Sequence, residues 1–464
     1  MATPDRAHIN PFLEGPLGPL FLRTAAPIIF IMLTNGAQTL IDAWFLGAYV
    51  GAEALAAVTL TFPLFMLMAA LSTLVANGMA SRLARSLGAG DIERARAVFT
   101  GAHGLALVIC TLLMVSFAAT GITLATRLAN GSAQLAAMGH EYIAILIWCS
   151  PVMFVLSVNG DALRCEGKLA LMTLATVLVS AANIALTYLF VAVLDYGVSG
   201  SAAGTVLAQF LALVIVIAYR GFGATRLRWS ALRARDLAYS WREILALGAP
   251  QSLSFIGISL VSVAVILAVQ GWGGEGYAST IAAYGIVTRL MSFAYMPMMG
   301  INMATQTIVG NNYGAGQWQR SDDAFKWGLV VAIVYAGAFE VVMIFSASWI
   351  GQLFVDDPRT IAELGRIMPI MVILYVVAGG MLVLSGYLQA IGEARAAIVL
   401  TVARTYVFTV PLVLILPVAF GEVGIWFAGP TAELLTVVLA AAMLWRGQRK
   451  RGLRWGLLRA PAER

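Results

Sequence analysis

An all-α membrane protein of twelve transmembrane helices, arranged as two six-helix bundles, is the fold class this sequence predicts. Three observations predict it. Hydrophobic residues make up 60% of the 464 positions and charged residues only 11%, against about 25% charged in an ordinary soluble domain. The apolar residues fall into runs long enough to cross a bilayer, which takes roughly 20 helical residues. The second half of the chain repeats the punctuation of the first.

Runs bounded by Gly, Pro and charge give spans at 24–47, 54–81, 97–120, 136–159, 169–192, 198–219, 244–270, 279–310, 327–354, 367–388, 396–418 and 423–445. The first follows Asp5, Arg6, His8 and Glu14 and is too long for a signal-peptide core, so it is expected to be retained. With the N-terminus inside, only Arg127, Arg359 and Arg366 of the 29 Lys and Arg residues fall in outside loops, with Arg289 and Arg404 within spans. Basic residues gather on the cytoplasmic side, so both termini are expected there. The basic excess at 220–242 and 446–464 is expected at anionic headgroups, which makes membrane lipids the partner and not nucleic acid. The resulting organisation is an N-terminal bundle (1–219), a basic cytoplasmic linker with an interfacial helix (220–243), a C-terminal bundle (244–445) and a basic tail (446–464).

The repeat has a nearly constant offset. Pro27 recurs as Pro250 after 223 positions, Gly88-Ala89-Gly90 as Gly314-Ala315-Gly316 after 226, Gly167 as Gly392 after 225, and Gly200 as Gly424 after 224. Six spans is an even number, so the two copies share an orientation and a pseudo-two-fold axis along the membrane normal. Polar side chains were not copied with the scaffold. The counterpart of Asp42 falls within Val265–Ala268, and that of Asn183 on Val407 or Phe408.

Asp42 is the acid of the first span, and Asn35, Gln38 and Asp42 share one helix face by their spacings of three and four. A carboxylate at the bilayer centre costs about 2.5 to 3.5 kcal/mol on insertion scales, so such a residue faces a protein interior or a wet cavity and marks an ion path. Span five carries Ser180, Asn183 and Thr187, and span six carries Ser201, Thr205 and Gln209, each as a polar stripe. One carboxylate, one amide oxygen and hydroxyls suit a hard cation such as Na⁺, held by Asp42, Asn183 and Thr205, or a proton on Asp42. Asn159 at the end of span four is a candidate for the same cavity, while Gly160 after it marks a candidate helix end. Met291, first of a Met-rich run, is a candidate drug contact against a competing role in the core. Glu340, Glu433, Arg289 and Arg404 are expected to pair within the second half.

Enzymatic chemistry is not expected. His8, His103 and His140 are scattered, Cys110, Cys149 and Cys165 form no CxxC, and no Walker, Rossmann, HExxH or serine-nucleophile pattern occurs.

TLIDAWFLGAYVGAEALAAVTLTFP, SRLARSLGAGDIERA, ALRCEGK, GAPQSLSF, ATQTIVGNNYGAGQ and GYLQAIGEARAA, in that order, resemble the multidrug and toxic compound extrusion family over essentially the whole chain. The resemblance implies two bundles around a central cleft in a bacterial cytoplasmic (inner) membrane, exporting cationic or amphipathic drugs in exchange for H⁺ or Na⁺, as a monomer and with no cofactor beyond the ion. It is to the DinF-type branch, because the acids of NorM-type spans seven and ten are absent from PQSLSFIGISLV and MVILYVVAGGMLVLSGYLQ. That branch implies coupling through Asp42, Asn183 and Thr205 and a bend in span one at Pro27; Thr187 stands where a second Asp is expected. The alternative within the superfamily is a lipid-linked oligosaccharide flippase, which calls for a basic cleft.

Overall fold

The structure, a computed structural model, describes residues 10–129, 132–229, 236–272 and 276–451. The chain is α1 (Leu17–Phe45), α2 (Ala52–Gly88), α3 (Ile92–Leu128), α4 (Ala133–Trp148), α5 (Ser150–Cys165), α6 (Leu169–Thr187), α7 (Gly197–Phe222), α8 (Trp241–Trp272), α9 (Tyr277–Gly314), α10 (Trp318–Phe354), α11 (Pro358–Val372), α12 (Tyr375–Ile391), α13 (Ala394–Val402), α14 (Val410–Phe420) and α15 (Val423–Arg451). Three π-helical turns, Leu46–Val50, Tyr188–Val193 and Ala403–Thr409, extend α1, extend α6 and join α13 to α14. Each span read from the sequence falls on one helix or one interrupted helix. Among the described residues nine helices are long and apolar enough to cross a membrane, or eleven when two bent pairs each count as one span. The remaining membrane-length helix is α9, whose second half is rich in Asn, Gln and Thr.

The interruptions were not visible as such in the sequence. The pair α4 and α5 bends by 50° at Cys149, and α11 and α12 by 41° at Ile373–Leu374. Proline supplies a cause in each case, since it cannot donate the helical hydrogen bond: Pro151 opens α5 and Pro369 lies inside α11. At the second break Leu374 takes a left-handed conformation (φ 72°). Its N–H and that of Val376 donate to the Glu340 carboxylate at 3.3 and 3.0 Å, which caps α12.

The duplicated glycines repeat the same backbone devices. Gly90 and Gly316 have φ of 73° and 74°, which a residue with a Cβ adopts only at a cost. Each lets the next N–H, of Asp91 and Gln317, close on a carbonyl five residues back at 3.0 Å. Gly167 and Gly392 do the same work after α5 and α12. Gly200 and Gly424 serve close packing instead: a Cβ would come 3.0 Å from the Phe190 backbone in one and 2.6 Å from the Leu416 backbone in the other.

The chain divides into two compact units, residues 1–15 with 30–252 and residues 16–29 with 253–464. The core of the first gathers Val75, Met79, Leu83, Phe99 and Phe154, and that of the second Val269, Val287, Leu364, Met368 and Trp426. The dividing points fall two residues after Pro27 in α1 and two after Pro250 in α8.

One expectation about the linker is overturned. Arg220 is not among lipid headgroups; it is fully buried as the last turn of α7. Its guanidinium meets Glu166 at 2.5 Å, Asn159 Oδ1 at 3.1 Å and Thr225 Oγ1 at 2.9 Å, and lies 5.0 Å over the Phe99 ring. A buried cation needs such partners, and the linker residues Thr225 and Leu227 supply two of them. Residues 230–235, where an interfacial helix was in question, and the tail beyond Arg451 lie outside the described residues.

Candidate functional site

Three helices of the first unit bring the polar stripes together. Along α1, Asn35 is exposed, while Gln38 and Asp42 are half-buried. Gln38 Oε1 accepts a hydrogen bond from Ser180 Oγ of α6 at 3.1 Å, which registers α1 against α6. Asn183 and Thr187 of α6 are fully buried. Asn183 Nδ2 donates to Thr205 Oγ1 of α7 at 3.1 Å, and that hydroxyl donates on to the Ser201 carbonyl at 3.1 Å. Thr187 packs against Gly204 of α7, where a Cβ would lie only 2.9 Å from Thr187 Oγ1, so α6 and α7 approach closely because position 204 is glycine. The same Thr187 hydroxyl faces the Asp42 carboxylate.

The directions of these bonds leave acceptors over. Asn183 spends its amide N–H on Thr205, so its Oδ1 has no donor. Asp42 Oδ1, Thr187 Oγ1 and Ser201 Oγ are likewise shielded from solvent without a partner at hydrogen-bond distance. A buried polar atom left unpaired costs about 1 to 3 kcal/mol, so several in one place need a reason. Both helices that carry the acids and amides leave regular geometry next to the site: α6 passes into a π turn directly after Thr187, and α1 does so four residues after Asp42. Such turns recur at functional sites because they re-aim side chains. Phe45, the last residue of α1, and Tyr49 from the first turn pack ring against ring on Tyr188 from the second, at 6.2 and 6.1 Å.

Not every candidate joins this cluster. Gln209, one turn beyond Thr205, is half-buried. Asn159 lies inside α5, which continues through Gly160 to Cys165, so the helix end expected there is absent. Its amide is fully committed elsewhere: Oδ1 accepts from Arg220, and Nδ2 contacts His103 Nε2 at 3.1 Å and the Val155 carbonyl at 2.8 Å. Met291 packs against the core of the second unit. Pro27 lies within α1, which continues helically on either side of it. Tyr142 of α4, close enough to feel the charge of Asp42, was missed; a tyrosine in an apolar run carries no spacing signal.

In the second unit Arg404 and Glu433 form the expected ion pair, with Nε and Nη2 on the same carboxylate oxygen at 2.7 and 2.5 Å. Glu340 instead caps α12, and Arg289 is exposed. Among the described residues no three His, Cys, Asp or Glu side chains are grouped to hold a metal ion. The unpartnered atoms gathered at Asp42 are all oxygens, the atom type that hard cations take as ligands.

The family model named MatE matches residues 27–189 and 250–415, two stretches whose starts are 223 positions apart. The chain belongs to the MatE family. MatE proteins are membrane transporters, and this one is a multi-pass membrane protein built on the family's two-bundle, twelve-helix fold. This MatE chain is similar to the multidrug export protein MepA of Staphylococcus haemolyticus, at 24% identity over 94% of each chain. It is also similar to the FAD transporter of Shewanella oneidensis, at 23% identity over 91% of this chain and 93% of the relative. Among solved structures, an outward-facing multidrug resistance MATE transporter of the MOP superfamily aligns at a TM-score of 0.85 with 23% identity, covering 97% of this chain and 98% of the other. A MATE in the bent conformation aligns at 0.85 with 24% identity, over 96% and 97%.

Proposed function

We propose that this MatE protein is a secondary antiporter that expels cationic or amphipathic drugs from the bacterial cytoplasm in exchange for H⁺ or Na⁺, with coupling through Asp42. The observation that carries the reading is the set of unpartnered acceptors on Asp42, Asn183 and Thr187. A cation or proton arriving there satisfies oxygens that the protein itself leaves unsatisfied, and it neutralises the one carboxylate among them. Thr205 orients Asn183 by accepting its N–H, which leaves the amide oxygen free for the ion.

The cycle follows from charge. An ion from outside neutralises Asp42, which changes its demand on Thr187 and Asn183; α1 then shifts about Pro27, and a cationic drug loses its attraction to the site. Loss of the ion inside restores the carboxylate. Support for Pro27 as the pivot comes from the division of the chain two residues beyond it. The absence of acids in α8 and α12 at positions the NorM-type branch uses supports a DinF-type assignment, and the excess of Lys and Arg on one side supports cytoplasmic termini. A relative named for multidrug export supports drugs as the cargo.

The test is dye efflux from proteoliposomes under separately imposed proton and sodium gradients. Wild-type efflux should follow one gradient, and Asp42→Asn should insert normally yet lose gradient-driven efflux. Undiminished coupled efflux by Asp42→Asn rejects the assignment.

A further inference from the structure

We propose that residues 10–15, ahead of α1, form a releasable strap that restrains the units during transport, with Phe12 as its catch. The inference rests on the reading of this chain as a transporter whose units move against each other. Residues 1–15 belong to the first unit, 16–29 to the second and 30–252 to the first again. The strap is seated on the first unit. Phe12 is 1% exposed, although Pro11, Glu14 and Gly15 around it are exposed. Asn10 shapes the segment: its Oδ1 accepts from the Phe12 N–H at 3.1 Å and its carbonyl from the Leu13 N–H at 3.2 Å. Pro11 and Phe12 lie on the turn between α5 and α6, where a Cβ at Gly167 would come 2.5 Å from Pro11 Cγ and 3.5 Å from Phe12 Cε2. Beyond the joint at Gly15 and Pro16, the tip of α1 is packed in its turn. Its Phe21, Thr24, Ala25 and Ile28 are buried, and a Cβ at Gly18 would lie 3.4 Å from the Trp327 ring of α10.

The repeat shows that the scaffold does not require this seat. Asp236 stands 226 positions after Asn10, the offset that relates Gly90 to Gly316. It builds the same turn, accepting from the Ala238 N–H on Oδ1 at 2.8 Å and from the Tyr239 N–H on its carbonyl at 3.3 Å. A residue of positive φ follows each turn, Gly15 at 77° and Ser240 at 61°, and a helix tip follows that. The second turn stays with its own tip: residues 236–252 all lie in the first unit. There Gly101 and Gly104 of α3 seat the carbonyls of Tyr239 and Leu237, with which a Cβ at either glycine would collide. At the same offset α10 carries Trp327 and Val330, and the Trp327 ring is spent on Gly18. With the symmetric seat filled, the segment before α1 rests on the unit to which its tip does not belong. Its joint is free to straighten, since a Cβ at Gly15 would meet nothing within 4 Å. From Phe12 to Gly18 the extended chain reaches at most roughly 20 Å. The seated strap therefore limits how far the Gly167 turn and the tip of α1 separate, and release of one ring lifts that limit. A segment held by so few buried groups opens before the bundle cores do.

The test places Glu14→Cys and Lys168→Cys, both at exposed positions, in the full chain. With spin labels on the two cysteines in lipid nanodiscs, electron resonance should give two distances, and ethidium, a cationic dye, should raise the weight of a distance longer by about 10 Å or more. A cleavable bismaleimide that joins the same cysteines should lower ethidium efflux from proteoliposomes about tenfold or more. Reduction of the linker should restore efflux, and either single-cysteine variant treated alike should be unaffected. Phe12→Ala should show the longer distance alone and keep its efflux, whereas a ring needed only for folding predicts that efflux is lost with the folded protein. A single short distance with and without ethidium, undiminished efflux by the cross-linked protein, or loss of efflux in Phe12→Ala overturns the proposal. The distances are read without transport, so a strap that opens in a protein showing no gradient-driven efflux rejects the transport reading and not the strap.

Discussion

The two halves of this protein share their backbone devices and differ in almost every polar side chain those devices position. Both break a span 224 positions apart, at Cys149 and at Ile373, and both turn on a left-handed glycine at 90 and 316. Yet the first half places neutral oxygens around one acid, while the second places an Arg–Glu pair in the corresponding helices. The same contrast recurs where α7 leaves its bundle. There the first half is tied by Arg220, Glu166, Asn159 and His103, whose counterparts at the 224 offset are Leu444, Ala390, Val383 and Trp327. The second half instead buries amides: Gln306 reaches Gln389 at 3.5 Å, and Asn302 fills the space that a side chain at Gly386 would take. Duplication therefore fixed the path of the chain, because φ and close packing tolerate few residues, and left the polar chemistry of each half to change separately.

Substitutions at matched positions sharpen this contrast. The largest difference is expected for acidity in span one against span seven. Asp42→Asn should abolish coupled efflux, whereas Val265→Asn, at the matching place in α8, should leave its dependence on the gradient intact; equal losses in the two would show that any amide there is harmful. Next comes Arg220→Gln, which strands Glu166 in a buried site and should cost about 3 to 5 kcal/mol, read as a fall in melting temperature in detergent, while Leu444→Gln should cost much less. Gly424→Ala and Gly200→Ala follow, at about 1 to 3 kcal/mol for overpacking, with Gly424→Ala the worse because its Cβ would sit 2.6 and not 3.0 Å from backbone. The smallest effect is at the turns. A Cβ at Gly90 or Gly316 meets nothing within 4 Å, so only the positive φ is penalised, and each alanine should cost the same, about 1 to 2 kcal/mol.

The twelve spans and the repeat were legible in the sequence because both rest on local signals, apolar length and glycine at fixed offsets. The meeting of Asp42, Asn183, Thr187 and Thr205 was legible as three polar stripes on apolar helices, since stripes of that kind must turn inward. What escaped was set by tertiary partners. Arg220 reads as one more basic residue at a membrane exit, and nothing in its neighbourhood announces that Glu166, 54 residues earlier, will hold it. Asn159 followed by glycine reads as a helix end, but Arg220 and His103 use both ends of its amide and the helix runs on. The interruptions at Cys149 and Leu374 were foreshadowed only by Pro151 and Pro369, and proline alone does not distinguish a bend from an intact helix.

The dividing points two residues after Pro27 and Pro250 mean that neither unit is a continuous piece of polypeptide. A ribosome that has released residues 1–252 has made the whole of one unit together with a short stub, 16–29, that belongs to a body not yet synthesised. Severing the gene in the linker would therefore yield two fragments that each lack a tip held by the other. Such fragments should be rescued only by co-expression, and a tandem fusion in reversed order should assemble only if its new junction lets both tips cross over.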